Sequence, residues 1–205
     1  MTAWPKIAEL VPEGKSGDVR IEHFEVSKED STFTSIRAMV NGRDEFVEPG
    51  KYARLYVGHA LMMSDTRMEK RSNTGVVLNA TGHVLIAGLG LGMITHPIAA
   101  KKEVKSITVV EKSPDVIKLV GPSLHKKVKV VEGDIFSWAP AKGTKFDTIY
   151  FDIWANITTD NLDDMAKLNR RFARFKAPGA WVHSWQRERL LYDRRRERDC
   201  DMRWR

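Results

Sequence analysis

Four apolar runs in this chain each end on a residue type that can do chemistry. Val84-Leu85-Ile86-Ala87 leads into Gly88-Leu89-Gly90-Leu91-Gly92, and Ile107-Thr108-Val109-Val110 leads into Glu111-Lys112. Val128-Lys129-Val130-Val131-Glu132-Gly133 leads into Asp134-Ile135, and the run from Phe146 to Phe151 leads into Asp152. A glycine turn between a strand and a helix lets backbone N–H groups approach a ligand closely. A carboxylate at the tip of the next strand accepts hydrogen bonds from ribose hydroxyls. A polar tip after the third strand can read a base edge. Together they describe a nucleoside pocket on consecutive strand ends. Met93 stands where a dinucleotide fingerprint needs its third small residue, and no Gly-Lys-Ser/Thr phosphate loop follows. Nothing in the pattern provides for a pyrophosphate.

Gly-x-Gly-x-Gly after the first strand, an acid after the second and Gly-Asp after the third resemble the S-adenosylmethionine site of class I methyltransferases. The resemblance implies S-adenosylmethionine as cofactor and a transferase activity. It places Gly88, Leu89, Gly90, Gly92, Glu111, Lys112, Asp134, Ile135 and Asp152 around that cofactor. Within the class, a β-rich unit before the sheet, the segment Leu55 to Met63 and Ile86-Ala87 directly before Gly88 resemble spermidine synthase and its relatives. The likeness spans residues 20 to 185.

Two departures count against polyamine synthesis. The aminopropyl-transferring members of that family carry a second acid three residues after the strand-four aspartate, but Asp152 is followed by Ile153-Trp154-Ala155. Their hairpin glutamine is replaced by Met62 or Met63. A polyamine's ammonium groups need fixed carboxylates to offset their desolvation. The leading expectation is therefore methyl transfer to an acceptor the sequence does not name. Asp152 would orient the nucleophile or take its proton. Trp154 would wall the acceptor pocket, and Asp65 would reach over the cofactor from the first unit. Aminopropyl transfer with an altered amine site and non-catalytic nucleoside binding stay open as alternatives.

Composition bounds the class of protein. At 205 residues and 42% hydrophobic, the chain can bury one sizeable core. Its longest apolar stretch, Val84 to Ile94, is broken by glycines and too short to span a membrane. The first residues, with Pro5, Lys6, Glu9 and Pro12, do not read as a signal segment. Cys200 is the sole cysteine, so no intramolecular disulfide forms and a reducing, cytoplasmic setting is expected. The six histidines are scattered, and no metal site is expected. A net charge of +7 invites a nucleic-acid surface, but acids interleave with the arginines of the C-terminal stretch as on a solvated helix. Nucleic-acid binding is not favoured.

The expected fold is α/β: a Rossmann-like class I methyltransferase sheet in residues 65–205, after a small antiparallel β unit in residues 1–64. An irregular lead-in precedes strands at Val19–Val26 and Ser35–Val40, the second of which enters a hairpin through Asn41-Gly42 toward Glu45-Phe46-Val47. A further hairpin turns at Gly58-His59. One helix capped by Asp65 or Thr66 runs toward Leu78. Strands then alternate with helices: Val84–Ala87, a helix over 93–101, Ser106–Val110, a helix opened by Ser113-Pro114 and Lys129–Val131. Phe146–Phe151, a helix over 159–175 ended by Pro178-Gly179, and Ala180–Trp185 complete the pattern. Residues 186–205 read as a helix, so strands six and seven of the class are missing. The fifth strand would leave an uncovered sheet edge, for which a homodimer is the expected cover.

Overall fold

The computed structural model of the chain describes residues 4–41 and 46–203. In chain order it contains α1 (Ile7–Leu10), β1 (Gly14–Ser16), β2 (Val19–Val26), α2 (Lys28–Asn41), β3 (Gly50–Val57), β4 (Ala60–Ser64), α3 (Arg67–Ser72) and α4 (Thr74–Asn79). There follow β5 (Gly82–Ala87), α5 (Thr95–Ala99), β6 (Val104–Glu111), α6 (Pro114–Val120), β7 (Val128–Glu132), β8 (Phe146–Phe151), α7 (Asn161–Phe172), β9 (Lys176–Ser184) and α8 (Arg187–Arg203). The first four strands form an antiparallel sheet in the order β1-β2-β3-β4, and the other five a sheet in the order β7-β6-β5-β8-β9. Every pair in the second sheet is parallel. Strand order reverses at β5, so the chain is an α/β protein with a Rossmann-like sheet after a small antiparallel one.

The central strand explains the layering. Along β5 every residue from Val84 to Ala87 is fully buried, as a strand covered on both faces must be. Its side chains alternate between two apolar clusters. Val84 and Ile86 pack with Ile107, Val109 and, from the N-terminal region, Ile7, Val19, Ile21 and Leu55. Leu85 and Ala87 face the opposite way, onto Val110, Phe151, Leu168 and Phe172. The buried stripe Leu162, Met165, Leu168 and Phe172 recurs at helical spacing along α7. Full burial of a side chain the size of Phe172 contributes about 1.5–3 kcal/mol.

Five expectations are corrected. Ser35–Val40 is part of helix α2, because Ser27 and Asp30 form a reciprocal cap at its start. The Asp30 N–H donates to Ser27 Oγ at 3.0 Å, and the Ser27 hydroxyl donates to the Asp30 carboxylate at 2.8 Å. Glu29 and Asp30 in the first turn complement the helix dipole. Residues 42–45, which hold the rest of the expected Asn41-Gly42 turn and Glu45, lie outside the described residues. The lead-in is not wholly irregular, since it carries α1 and β1, with Ile7 and Val11 fully buried.

The helix expected from Asp65 or Thr66 to Leu78 is divided into α3 and α4 at Asn73, whose backbone leaves helical geometry at φ −101° and ψ 1°. Neither Asp65 nor Thr66 supplies a side-chain cap there. Pro178-Gly179 lies within β9, where pairing with β8 is irregular between Phe146 and Thr148. An edge strand tolerates proline at such a point. By contrast, Ser113 caps α6 as expected: its Oγ accepts the Val116 N–H at 3.2 Å, with Pro114 in the first turn.

Candidate functional site

A cavity of about 380 Å³ opens at the carboxyl ends of β5, β6, β7 and β8. Open parallel sheets bind ligands at this end, where strand order reverses. Ligand pockets generally measure roughly 300–1,000 Å³. Gly88, Leu89, Gly90, Glu111, Lys112, Asp134, Ile135, Asp152 and Trp154 all line the cavity. Residues named from strand ends thus meet around one space.

The glycine turn forms its first wall. Gly88, Gly90 and Gly92 have φ of +93°, +51° and +69°, values other residues rarely adopt. A Cβ on Gly88 would run into the Asp152 carbonyl oxygen, so the glycine also allows β5 and β8 to converge beneath the cavity. A Cβ on Gly90 would run into the Met63 thioether. That sulfur already lies 3.2 Å from the Leu91 N–H, so the β3–β4 hairpin reaches the glycine turn directly. Gly92 does not line the cavity; a Cβ there would press on Leu124 and Val120 beneath the turn.

Glu111 and Asp134 are held by backbone. One Glu111 oxygen accepts the Leu89 N–H at 2.7 Å and the other accepts the Ser113 N–H at 2.8 Å. The carboxylate therefore ties the glycine turn to the start of α6 and keeps spare lone pairs toward the cavity. Asp134 accepts the Phe136 N–H at 2.9 Å and pairs with Lys112 at 3.2 Å. The Phe136 N–H first, then Lys112, holds its carboxyl below the usual range. Lys112 is 80% exposed, so that ion pair adds little stability.

The β8 end is different, and half of it was not legible beforehand. Asp152 lines the cavity beside Glu69 and Asn73 from α3 and its junction with α4. Burial, and then the charge of Glu69, push the Asp152 carboxyl up to about 7. Burial likewise pushes Glu69 up to about 7. The charge of Glu69 adds to the burial of Asp152, so the two carboxyls resist ionising together. The Tyr150 phenol is raised as well, by burial first and then by Asp152 and Glu69.

Hydrogen bonds explain how Glu69 arrives there. The buried Asn73 accepts from the Tyr150 hydroxyl at 2.9 Å, and its amide donates to the Glu69 carbonyl at 3.2 Å. The end of α3 is thereby pinned to β8 two residues before Asp152. In sequence, Glu69 stands among Arg67, Lys70 and Arg71, and no motif marks it. The chain lacks an acid three residues after Asp152, but the fold supplies one from another element.

Asp65 is the residue whose expected place is overturned. Its carboxylate is fully buried and does not line the cavity. It accepts the Ala53 N–H at 2.7 Å and the Ile7 N–H at 3.1 Å, with Lys70 at 3.7 Å. Those bonds fasten α1 to β3 and to the chain leaving β4, which is a structural role. Trp185, also unforeseen, lines the cavity with its ring nitrogen donating to Ser72 Oγ at 3.1 Å.

No protein-family model and no curated protein matches this chain. Among solved structures, the DhpI–SAH complex is similar at 22% identity and a TM-score of 0.45, over 57% of each chain. The N-methyltransferase NodS of Bradyrhizobium japonicum in complex with S-adenosyl-L-homocysteine is similar at 18% identity and a TM-score of 0.46, over 57% of this chain and 60% of that one. An S-adenosylmethionine-dependent methyltransferase from Clostridium acetobutylicum shares 18% identity at a TM-score of 0.42, over 58% of this chain and 50% of that one. This chain thus spans about half to three fifths of each of them. Their ligands and reactions are properties of those proteins.

Proposed function

We propose that the chain is an S-adenosylmethionine-dependent methyltransferase with a spermidine synthase-like arrangement. One observation carries the reading: the glycine turn, Glu111, Asp134 and Asp152 converge on a single cavity at the switch point of the sheet. The residues present fit a nucleoside. Gly88 and Gly90 bring backbone to the cavity without a Cβ, Glu111 keeps lone pairs for ribose hydroxyls, and Asp134 with Ile135 offers polar and apolar contact to a purine. Lys112, flanking Asp134, borders the same end. Gly92 lets the turn close from below.

When bound, S-adenosylmethionine supplies an electrophilic alkyl carbon on a sulfonium. The protein positions the acceptor and receives its proton, for which Asp152, pushed up to about 7, is placed. Trp154 closes the acceptor side. The hairpin β3–β4, which brings Met62 and Met63 to the cavity, supports the spermidine synthase-like assignment. The boundary between the units, at residues 64 and 65, belongs to the same proposal. So does a homodimer covering the free edge of β9, which in light scattering would give twice the 23.4 kDa chain mass.

Calorimetric titration with S-adenosylhomocysteine tests the cofactor site. The parent should bind it, and Glu111→Ala should weaken binding by about 1.5–3 kcal/mol through lost charge-assisted hydrogen bonds. A folded Glu111→Ala protein that binds as tightly as the parent removes the assignment.

A further inference from the structure

We propose that Met63 is a displaceable latch on the glycine turn, seated where the cofactor's arm beyond its ribose must lie. It thereby sets the affinity for a nucleoside that carries such an arm, and not for the bare nucleoside. The proposal rests on the cofactor reading above and adds to that site the residue that discriminates between the two.

The first ground is position. The strand order β7-β6-β5-β8 lines up Asp134, Glu111, the glycine turn and Asp152 along one end of the sheet. With the base on Asp134 and the ribose on Glu111, an arm leaving the ribose toward Asp152 crosses the turn. Met63 stands at that crossing. Its sulfur fills the space that a Cβ on Gly90 would need, and it lies 3.2 Å from the Leu91 N–H.

The second ground is how the hairpin delivers that sulfur. In the β3–β4 ladder Leu55 pairs with Met63 and Tyr56 with Leu61, so Met62 is an extra residue in the register. Neighbours on a regular strand face opposite sides, yet Met62 and Met63 both line the cavity. Bulges re-aim side chains in this way beside binding sites. Both methionines also pack against the apolar core, which fixes the hairpin while their tips reach the turn.

The third ground is how firmly each donor of the turn is held. The Leu89 N–H donates to the Glu111 carboxylate at 2.7 Å, a charge-assisted bond. The Leu91 N–H meets a thioether, which is a weak acceptor. Methionine's three rotatable bonds let its tip leave without moving the backbone. One donor is therefore fixed and the other releasable. The amino-acid arm of S-adenosylmethionine carries a carboxylate, a stronger acceptor than the sulfur it would replace. Adenosine carries no arm and leaves Met63 in place.

Two measurements on the parent, Met63→Ala and Met63→Leu test the proposal: calorimetry with S-adenosylhomocysteine and with adenosine, and amide exchange at Leu91 followed by NMR with no ligand added. Met63→Ala should bind S-adenosylhomocysteine about three- to tenfold more tightly, and adenosine within about twofold of the parent. Met63→Leu keeps the bulk and loses the acceptor, so its S-adenosylhomocysteine affinity should fall between those of the parent and Met63→Ala. Leu91 exchange should quicken at least about fivefold in both variants. An equal gain for both ligands, an unchanged or weakened S-adenosylhomocysteine affinity in Met63→Ala, or Leu91 exchange as fast in the parent as in the variants overturns the latch alone. Failure of S-adenosylhomocysteine to bind all three proteins, with Leu91 exchange still dependent on Met63, strikes the cofactor reading and with it the place given to the arm.

Discussion

At the β6–β7 end of the cavity, Glu111 and Asp134 accept hydrogen bonds from three backbone N–H groups and meet a lysine. At the β8 end, Glu69 and Asp152 line the same cavity with no such donors among the described residues, and both carboxyls are pushed up to about 7. The first end is assembled from strand tips and the turns that follow them, so each acid is fixed by amides a few residues away or on the adjoining turn. The second end is assembled across the fold, from α3 and β8. Acids satisfied by local backbone are ready to bind a neutral polar group such as a ribose. Acids left unsatisfied are ready for a cation or a proton.

The largest expected effect breaks the backbone-built end. Gly90→Val places a side chain at φ +51° against Met63 and should abolish detectable S-adenosylhomocysteine binding. Its far-UV circular dichroism should stay close to the parent's. Retained binding would show that the glycine turn is not the cofactor wall.

Asp65→Ala separates structural acids from site acids. Two buried N–H groups, of Ile7 and Ala53, would lose their acceptor. Each loss costs about 1–3 kcal/mol, which urea denaturation would register as a lower midpoint. An unchanged midpoint would return Asp65 to the list of candidate ligand contacts.

The smallest effect sharpens the acidic end. Folding raises the Glu69 and Asp152 carboxyls from ordinary values near 4 to about 7, so the folded state holds more protons than the unfolded state between those limits. Stability from this source is full below about pH 4 and is lost as pH rises through about 7. Glu69→Gln removes one charge of the pair. Thermal melting should therefore show the variant gaining more on the parent at pH 8 than at pH 5. A gain that is the same at both values would mean that folding does not raise the Glu69 carboxyl.

The parallel half was largely legible because its signals are local. Val84–Ala87 is apolar on both faces, Ser113-Pro114 is a helix start, and Leu162 to Phe172 repeats at helical spacing. The antiparallel half was read less well where two local signals competed. Ser35 to Val40 looks like a strand, but the Ser27–Asp30 cap starts the helix that forms there. Of the site, the glycine turn, Glu111, Asp134 and Asp152 were visible as strand-end residues. Glu69, Asn73 and Trp185 were not, since nothing near them in sequence marks them.

The sequence by itself determined the strand-end chemistry, because the period of the apolar runs decides which residues fall at their tips. It also determined that the glycine turn could approach a ligand, since that freedom is a property of glycine alone. Tertiary structure decided what sequence spacing cannot encode. Asn73 breaks a helix and bonds Tyr150, seventy-seven positions away, and so brings Glu69 to Asp152. Asp65, equally acidic and only four residues from Glu69, is turned instead onto the amides of Ile7 and Ala53. A carboxylate's role follows from the donors and the solvent around it, and those are set only when distant segments pack.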